Sequence, residues 1–202
     1  MTIKAIIWDL GGVLVRTADW TSREELAARL GTDLRTLSQI VFGDDGDYRS
    51  QVGEITAAEQ WANVAKRLNI PAAEIPVVKK DFFAGDMLDS DLIDTIRGLK
   101  AHYTVALLSN AMDDLRHEVL ENWQIDDAFH HLVISAEVGM KKPDHRIYEL
   151  TLEKVGVAPG EAVFIDDMPE NIAAAQAVGM HGIRFVRKAQ ALAELETLLK
   201  QE

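Results

Sequence analysis

The feature that most constrains this chain is a series of short, continuous apolar runs separated by helix-patterned sequence. Ile3 to Trp8 is one such run, and Tyr103 to Leu108 (YTVALL) is another. Leu132 to Ile134, Ala162 to Ile165 (AVFI) and Gly182 to Val186 (GIRFV) complete the set. Apolar runs of this length that do not alternate with polar residues suit strands buried on both faces, as in a parallel sheet. Between them, Asp91 to Leu99 places Leu92, Ile93, Ile96 and Leu99 on one helical face. Asp113 to Trp123 and His145 to Val155 are similar, and Asn171 to Val178 is Ala-rich and stops at Gly179, where a helix C-cap fits. Strand–helix alternation predicts an α/β fold built from βαβ units with right-handed crossovers.

The long stretch from Asp9 to Tyr103 breaks this rhythm. It shows no convincing strand and reads as helices over Thr21 to Leu30, Asp33 to Val41, Thr56 to Leu68 and Ala72 to Phe83. Thr56 with Glu59 fits a capping box. Gly31, Gly43, Gly46 and Pro71 punctuate the set. The expected organisation is an α/β core over 1–15 and 88–202, with an all-helical insertion over 16–87. A chain of 202 residues agrees with one domain carrying a large insertion.

Composition narrows the partners. Lys plus Arg is 21 and Asp plus Glu is 33, for a formal charge of −12. Such a chain has no broad basic face for nucleic acid or an anionic membrane surface. It has no cysteine, which excludes a disulfide framework, a thiolate metal site and a cysteine nucleophile. The N-terminal apolar run is too short for a signal peptide or a membrane span, so the expected location is cytoplasmic. Oligomeric state leaves no signal.

The chemistry-bearing residues sit where strands end, and in open α/β sheets the ligand crevice lies beyond the carboxyl ends of the strands. Asp9 ends the first apolar run and is followed by Leu10-Gly11-Gly12-Val13-Leu14. This is a carboxylate at the mouth of the sheet beside a tight turn, although a lone Asp there also reads as a strand-end cap. Ser109-Asn110 follows YTVALL; a strand-end hydroxyl can donate to an anion, and Ser-Asn is also ordinary turn chemistry. Lys141-Lys142-Pro143-Asp144 puts a lysine just before a proline that suits the start of a helix. Asp166-Asp167 closes AVFI. Two adjacent acids after a buried strand are costly if dry and unpaired, and a hard cation such as Mg²⁺ would explain them. For either acid alone, a helix N-terminus made acidic to match its dipole is the competing reading.

Taken together, IIWDLGGVL, LLSN, GMKKPDHRIY and VFIDDMPENIAAAQAVGM resemble the haloacid dehalogenase-like (HAD) hydrolases, in the subfamily with a helical cap inserted after the first strand. The resemblance runs along nearly the whole chain. It implies a Rossmann-like parallel sheet under a helical cap, and a Mg²⁺-dependent phosphatase that hydrolyses a small phosphomonoester. Asp9 would be the nucleophile, forming an aspartyl-phosphate that water then hydrolyses. Ser109, the Asn110 backbone and Gly12 would hold phosphoryl oxygens. Lys142, which directly precedes proline, would neutralise phosphate and Asp9. Asp9, Asp167 and the Gly11 carbonyl would hold Mg²⁺, with Asp166 a direct or water-mediated ligand. The partner would be a small phosphorylated metabolite.

Gly11 departs from the phosphatase pattern, which has an acid/base Asp at that position. Losing a general acid costs on the order of 10²–10⁴ in rate. Three explanations compete. The leaving group needs little help, as in sugar-1-phosphates, which the Gly-containing branch resembles. A cap residue replaces the acid: Asp44, Asp45, Asp47, Tyr48 and Glu54 are the candidates, since all six histidines lie at position 102 or later. Or the protein binds phosphate, in a regulatory role, with weak catalysis. The metal-free 2-haloacid dehalogenases also lack the second Asp, but they replace the double acid that this chain keeps. Substrate specificity is expected from the cap, with Arg16, Tyr48 and Arg49 facing the non-phosphate part of the substrate. Trp20 and Trp61 are expected to pack the cap.

Overall fold

A computed structural model describes residues 2–200. The chain enters the core through strand β1 (Ala5–Trp8), leaves it through β2 (Val15–Thr17), and forms helices α1 (Thr21–Arg29), α2 (Leu34–Phe42), α3 (Asp45–Gln51), α4 (Ala57–Leu68) and α5 (Ile75–Phe83). It returns through β3 (Asp86–Leu88) to α6 (Ser90–Leu99), β4 (Thr104–Ser109), a short α7 (Leu115–His117), β5 (His131–Ile134) and α8 (Ser135–Val138). Then come α9 (His145–Val155), β6 (Ala162–Asp166), α10 (Pro169–Ala177), β7 (His181–Arg184) and α11 (Lys188–Leu199).

The apolar runs form one parallel five-stranded sheet in the order β5-β4-β1-β6-β7. The order reverses around β1, so β4 and β6 flank it and all three carboxyl ends open at one switch point. Side chains alternate faces along each strand. Ile6, Trp8, Val105, Leu107, Val163 and Ile165 pack under α6 and α11, with Leu92, Ile96 and Leu195. Ala5, Ile7, Ala106, Leu108 and Phe164 pack against α9 and α10, with Ile147, Tyr148 and Ala175. Each fully buried aliphatic or aromatic side chain stabilises by about 1.5–3 kcal/mol. Together these two layers hold the strand ends in register.

Helices α1, α2, α4 and α5 share a separate core of Leu26, Leu37, Val41, Trp61, Val64, Val78 and Phe82, and α3 packs beside α4. The Thr56–Glu59 capping box is present at the start of α4. Two features of this region go beyond the four expected helices. Asp45–Gln51 is a helix, N-capped by Asp44, whose side chain accepts the Asp47 amide at 2.6 Å. In addition, β2 and β3 pair as an antiparallel ribbon, Val15 against Leu88 and Thr17 against Asp86. The expected cap limits, 16 and 87, fall inside these two strands. Such a ribbon escapes sequence reading because each strand is three residues long and half-buried, and its partner lies far along the chain.

The helical layer is tied over the end of the sheet. The Ala57 amide donates to Asp113 at 2.8 Å, and Lys79 pairs with Asp114 at 2.7 Å. On the other side Gly53 (φ +72°) lies so close to the Ala136 carbonyl that a Cβ would sit 2.2 Å from it. The helix expected over Asp113 to Trp123 is instead the short α7 continued by a wide π-type turn, Glu118–Asn122. No described helix is long and apolar enough to cross a membrane.

Candidate active site

The four sequence stations converge at the switch point. Asp9 follows β1 and its amide donates to the Ile165 carbonyl at 2.9 Å, which fixes it beside β6. The Leu10 carbonyl then accepts from the amides of Val13, Leu14 and Val15, folding the loop tightly back. Gly12 (φ +78°) is required within it: a Cβ there would lie 2.3 Å from Asp167 Oδ2. The glycine therefore lets the Asp9 loop lie against the Asp167 carboxylate. At Gly11 a Cβ would meet nothing within 4 Å.

Lys142 is the hub, with only 2% of its surface exposed. Its Nζ lies 2.6 Å from Asp9 Oδ1 and 2.7 Å from Asp166 Oδ2, and donates to the Leu108 carbonyl at 3.1 Å. Its loop is clipped to the end of β4 by Asn110, whose Nδ2 donates to the Lys142 carbonyl at 2.9 Å. The Asn110 Oδ1 in turn accepts the Lys142 amide at 2.8 Å. The Asn110 side chain is thus a clamp on the lysine loop. Ser109 is buried at the tip of β4.

Asp166 and Asp167, adjacent in sequence, differ in surroundings. Asp166 is fully buried and accepts from Lys142, from the Met168 amide at 2.8 Å and from Asn171 Nδ2 at 3.0 Å. Asn171, at the start of α10, is a site residue that sequence reading left without a role. Asp167 is half-buried and receives no hydrogen bond from another described residue. Burial, together with the neighbouring charge of Asp166, pushes its carboxyl above the ordinary range. Burial also pushes Asp9 up, to about 7, although Lys142 pulls it down.

Three carboxylates, Asp9, Asp166 and Asp167, offer oxygens within 4.8 Å of one another around a single ammonium. That donor set fits a hard, oxygen-preferring divalent cation such as Mg²⁺, which would relieve the excess negative charge. Asp9 and Asp167 have the oxygens least committed elsewhere, whereas those of Asp166 are occupied by Lys142, Met168 and Asn171.

A cleft of about 790 Å³ runs from this point up into the helical layer. Gly11, Gly12, Asn110 and Asp167 form its floor, while Trp20, Phe42, Trp61 and Phe83 are among its walls. Arg16 lines it, but its guanidinium is paired with Asp89 at 2.7 Å and lies over the Phe185 ring. Tyr48 and Arg49 are not among the lining residues. The Tyr48 ring sits 5.3 Å from the Lys141 ammonium, and Arg49 donates to Glu54 at 3.1 Å. The helix explains this: Asp47 and Gln51, four residues apart, share the face turned to the cleft, and the two residues after Asp47 are rotated away from it. Trp61 packs the helical core as expected, yet it also borders the cleft; Trp20 is a half-exposed wall residue.

This fold and site define a hydrolase of the α/β type with its chemistry at strand ends. The chain belongs to the haloacid dehalogenase-like hydrolases, whose family model matches residues 3–179. It is similar to a sesquiterpene phosphatase of Aspergillus oryzae, 28% identical over 98% of this chain and 97% of the relative. It is 38% identical to the bifunctional epoxide hydrolase 2 of Mus musculus over 97% of this chain, but spans only 39% of that longer protein. A solved HAD family enzyme of Bacteroides thetaiotaomicron, in complex with magnesium and inorganic phosphate, is similar with a TM-score of 0.75 and 26% identity, covering 90% of this chain and 93% of that one.

Proposed function

We propose that the protein is a Mg²⁺-dependent phosphomonoesterase for a small phosphate ester whose organic part is largely apolar. The observation that carries the phosphatase reading is Lys142, held between Asp9 and Asp166 with Asp167 alongside, at the open end of the sheet. Asp9 attacks phosphorus in line, forming an aspartyl-phosphate as the ester oxygen departs. Lys142 keeps the Asp9 carboxylate oriented and offsets charge gathering on the phosphoryl group. Ser109, the Asn110 amide and the glycine loop would hold the phosphoryl oxygens. Water then opens the acyl-phosphate and returns Asp9. Asp9, Asp167 and the Gly11 carbonyl would hold Mg²⁺, which when bound supplies the positive charge that lets an anionic nucleophile meet an anionic ester.

The three crowded carboxylates favour this reading over metal-free halide displacement, which has no use for them. The aromatic walls favour an apolar leaving group over a sugar, whose hydroxyls would need polar partners. The similarity to a phosphatase acting on a sesquiterpene supports the same choice. The test is Mg²⁺-dependent phosphate release from alkyl or prenyl phosphates compared with sugar phosphates. Activity that requires Mg²⁺, prefers the apolar esters and disappears in Asp9→Asn is the expected result. Equal release by Asp9→Asn would sink the reading.

A further inference from the structure

An alkoxide leaves phosphorus slowly unless it receives a proton, and the Asp9 loop offers glycine at both positions 11 and 12. None of the cleft-lining residues is a histidine. The cleft-lining acids divide clearly. Asp167 is in the carboxylate cluster, Asp86 receives Arg23 and Thr17, Asp114 is paired with Lys79, and Glu118 is half-buried and receives Asn122. Asp47 is different. It is 5% exposed, projects from α3 into the same cleft and makes no ion pair among the described residues. Among the described residues, the only side chain that donates to it is Gln51, at 2.9 Å. The other cap acids offer no rival: Asp44 is taken by Arg67 and Gln60, Glu54 by Arg49, and Asp45 is exposed.

We propose that Asp47 is the general acid and base of the reaction, delivered across the cleft by the helical layer. This rests on the phosphatase reading above. In the first step the Asp47 carboxyl gives its proton to the ester oxygen as the P–O bond breaks and the Asp9 O–P bond forms, releasing a neutral alcohol. In the second step the Asp47 carboxylate takes a proton from water as that water attacks phosphorus, releasing phosphate and restoring both acids. The surroundings suit a group that must change protonation. Burial pushes the Asp47 carboxyl up to about 6, against the pull of the Gln51 hydrogen bond and of the Lys141 ammonium from the loop before α9, while Asp44 on its own turn adds a small push upward. Lys141, whose ammonium lies 5.3 Å from the Tyr48 ring of α3, is the residue next to the Lys142 hub, and α3 also packs against α8 just ahead of that loop.

The experiment compares wild type with Asp47→Asn on two Mg²⁺-supported substrates, n-octyl phosphate and p-nitrophenyl phosphate. Octanol needs a proton to leave and p-nitrophenol does not. The expected result is a fall in kcat/KM for octyl phosphate on the order of 10²–10⁴, with kcat/KM for p-nitrophenyl phosphate changed less than about tenfold. With p-nitrophenyl phosphate the variant should also show a burst of about one product per enzyme, because the second step still lacks its base. The wild-type octyl phosphate profile should fall on the alkaline side, and Asp47→Asn should lose that limb. Gln51→Leu, which removes the contact that lowers the carboxyl, should move the limb to higher pH; this keeps the test open if Asp47→Asn fails to fold. Equal losses on both substrates without a burst, an unchanged octyl phosphate rate, or an unmoved limb in Gln51→Leu would each overturn the assignment while leaving the phosphatase reading intact. An inactive wild type on every ester would overturn that reading instead, and this one with it.

Discussion

The two sides of the cleft are built on opposite plans. At the sheet end, Lys142, Asp9, Asp166, Asn110 and Asn171 hold one another through a closed set of short contacts between 2.6 and 3.1 Å. On the helical side, α3 presents a single buried carboxylate with one donor from its own helix. The first plan gives geometry that does not adjust, which suits the proposed nucleophile and its counter-charge. The second suits the proposed proton exchange at Asp47, on a layer packed apart from the sheet. On the proposed phosphatase reading, fixed charges stand where the phosphoryl group is the same for every ester, and adaptable groups where the organic part varies.

The largest break in this comparison is Lys142→Met. Removing the ammonium leaves two carboxylates buried without a cation, and breaking a buried pair in this way costs about 3–5 kcal/mol. Denaturant unfolding should show that loss, and phosphate release should vanish. Gly12→Ala is the next largest. Its Cβ would fall 2.3 Å from Asp167 Oδ2, and the +78° φ is unfavourable for any side chain by about 1–2 kcal/mol. Weaker Mg²⁺ binding by titration and a sharply lower kcat are expected; wild-type Mg²⁺ affinity would break the link between the loop and Asp167.

The smallest effect sharpens the helical side. The Asp47 carboxyl is held up to about 6, against an ordinary 3.8. The unfolded chain therefore gives up this proton first, and the folded state is disfavoured progressively as pH rises from about 4 to 6. Asp47→Asn removes that cost. Its melting temperature relative to wild type should be higher by a few °C at pH 7.5 than at pH 4.5. A pH-independent difference would show that the carboxyl carries no such cost.

Much of this molecule was legible in the residues. The parallel strands appear within two residues of the apolar runs, because a strand buried on both faces must be apolar throughout whatever its neighbours. The order of stations was legible too, since Asp9, Ser109 and Asp166 each mark the point where an apolar run ends and Lys142 stands just before a helix. The α3 helix was not, because Asp-Gly-Asp-Tyr-Arg-Ser-Gln has no apolar stripe and its stability comes from the Asp44 cap and from packing. Tyr48 and Arg49 looked suited to a substrate, but their direction depends on helix phase, which composition does not encode.

By itself, the sequence determined the α/β core, the helical stretch after the first strand, and an acid, a hydroxyl and a double acid at strand ends with a lysine ahead of a helix. Local chemistry suffices there, because burial and backbone hydrogen bonding act on each segment alone. The tertiary structure alone decided that Lys142 stands between Asp9 and Asp166, that β2 pairs with β3, and that Asp47 and Gln51, not Tyr48 and Arg49, face the cleft. Those are relations between segments far apart in the chain, set by how separately stable layers dock against one another.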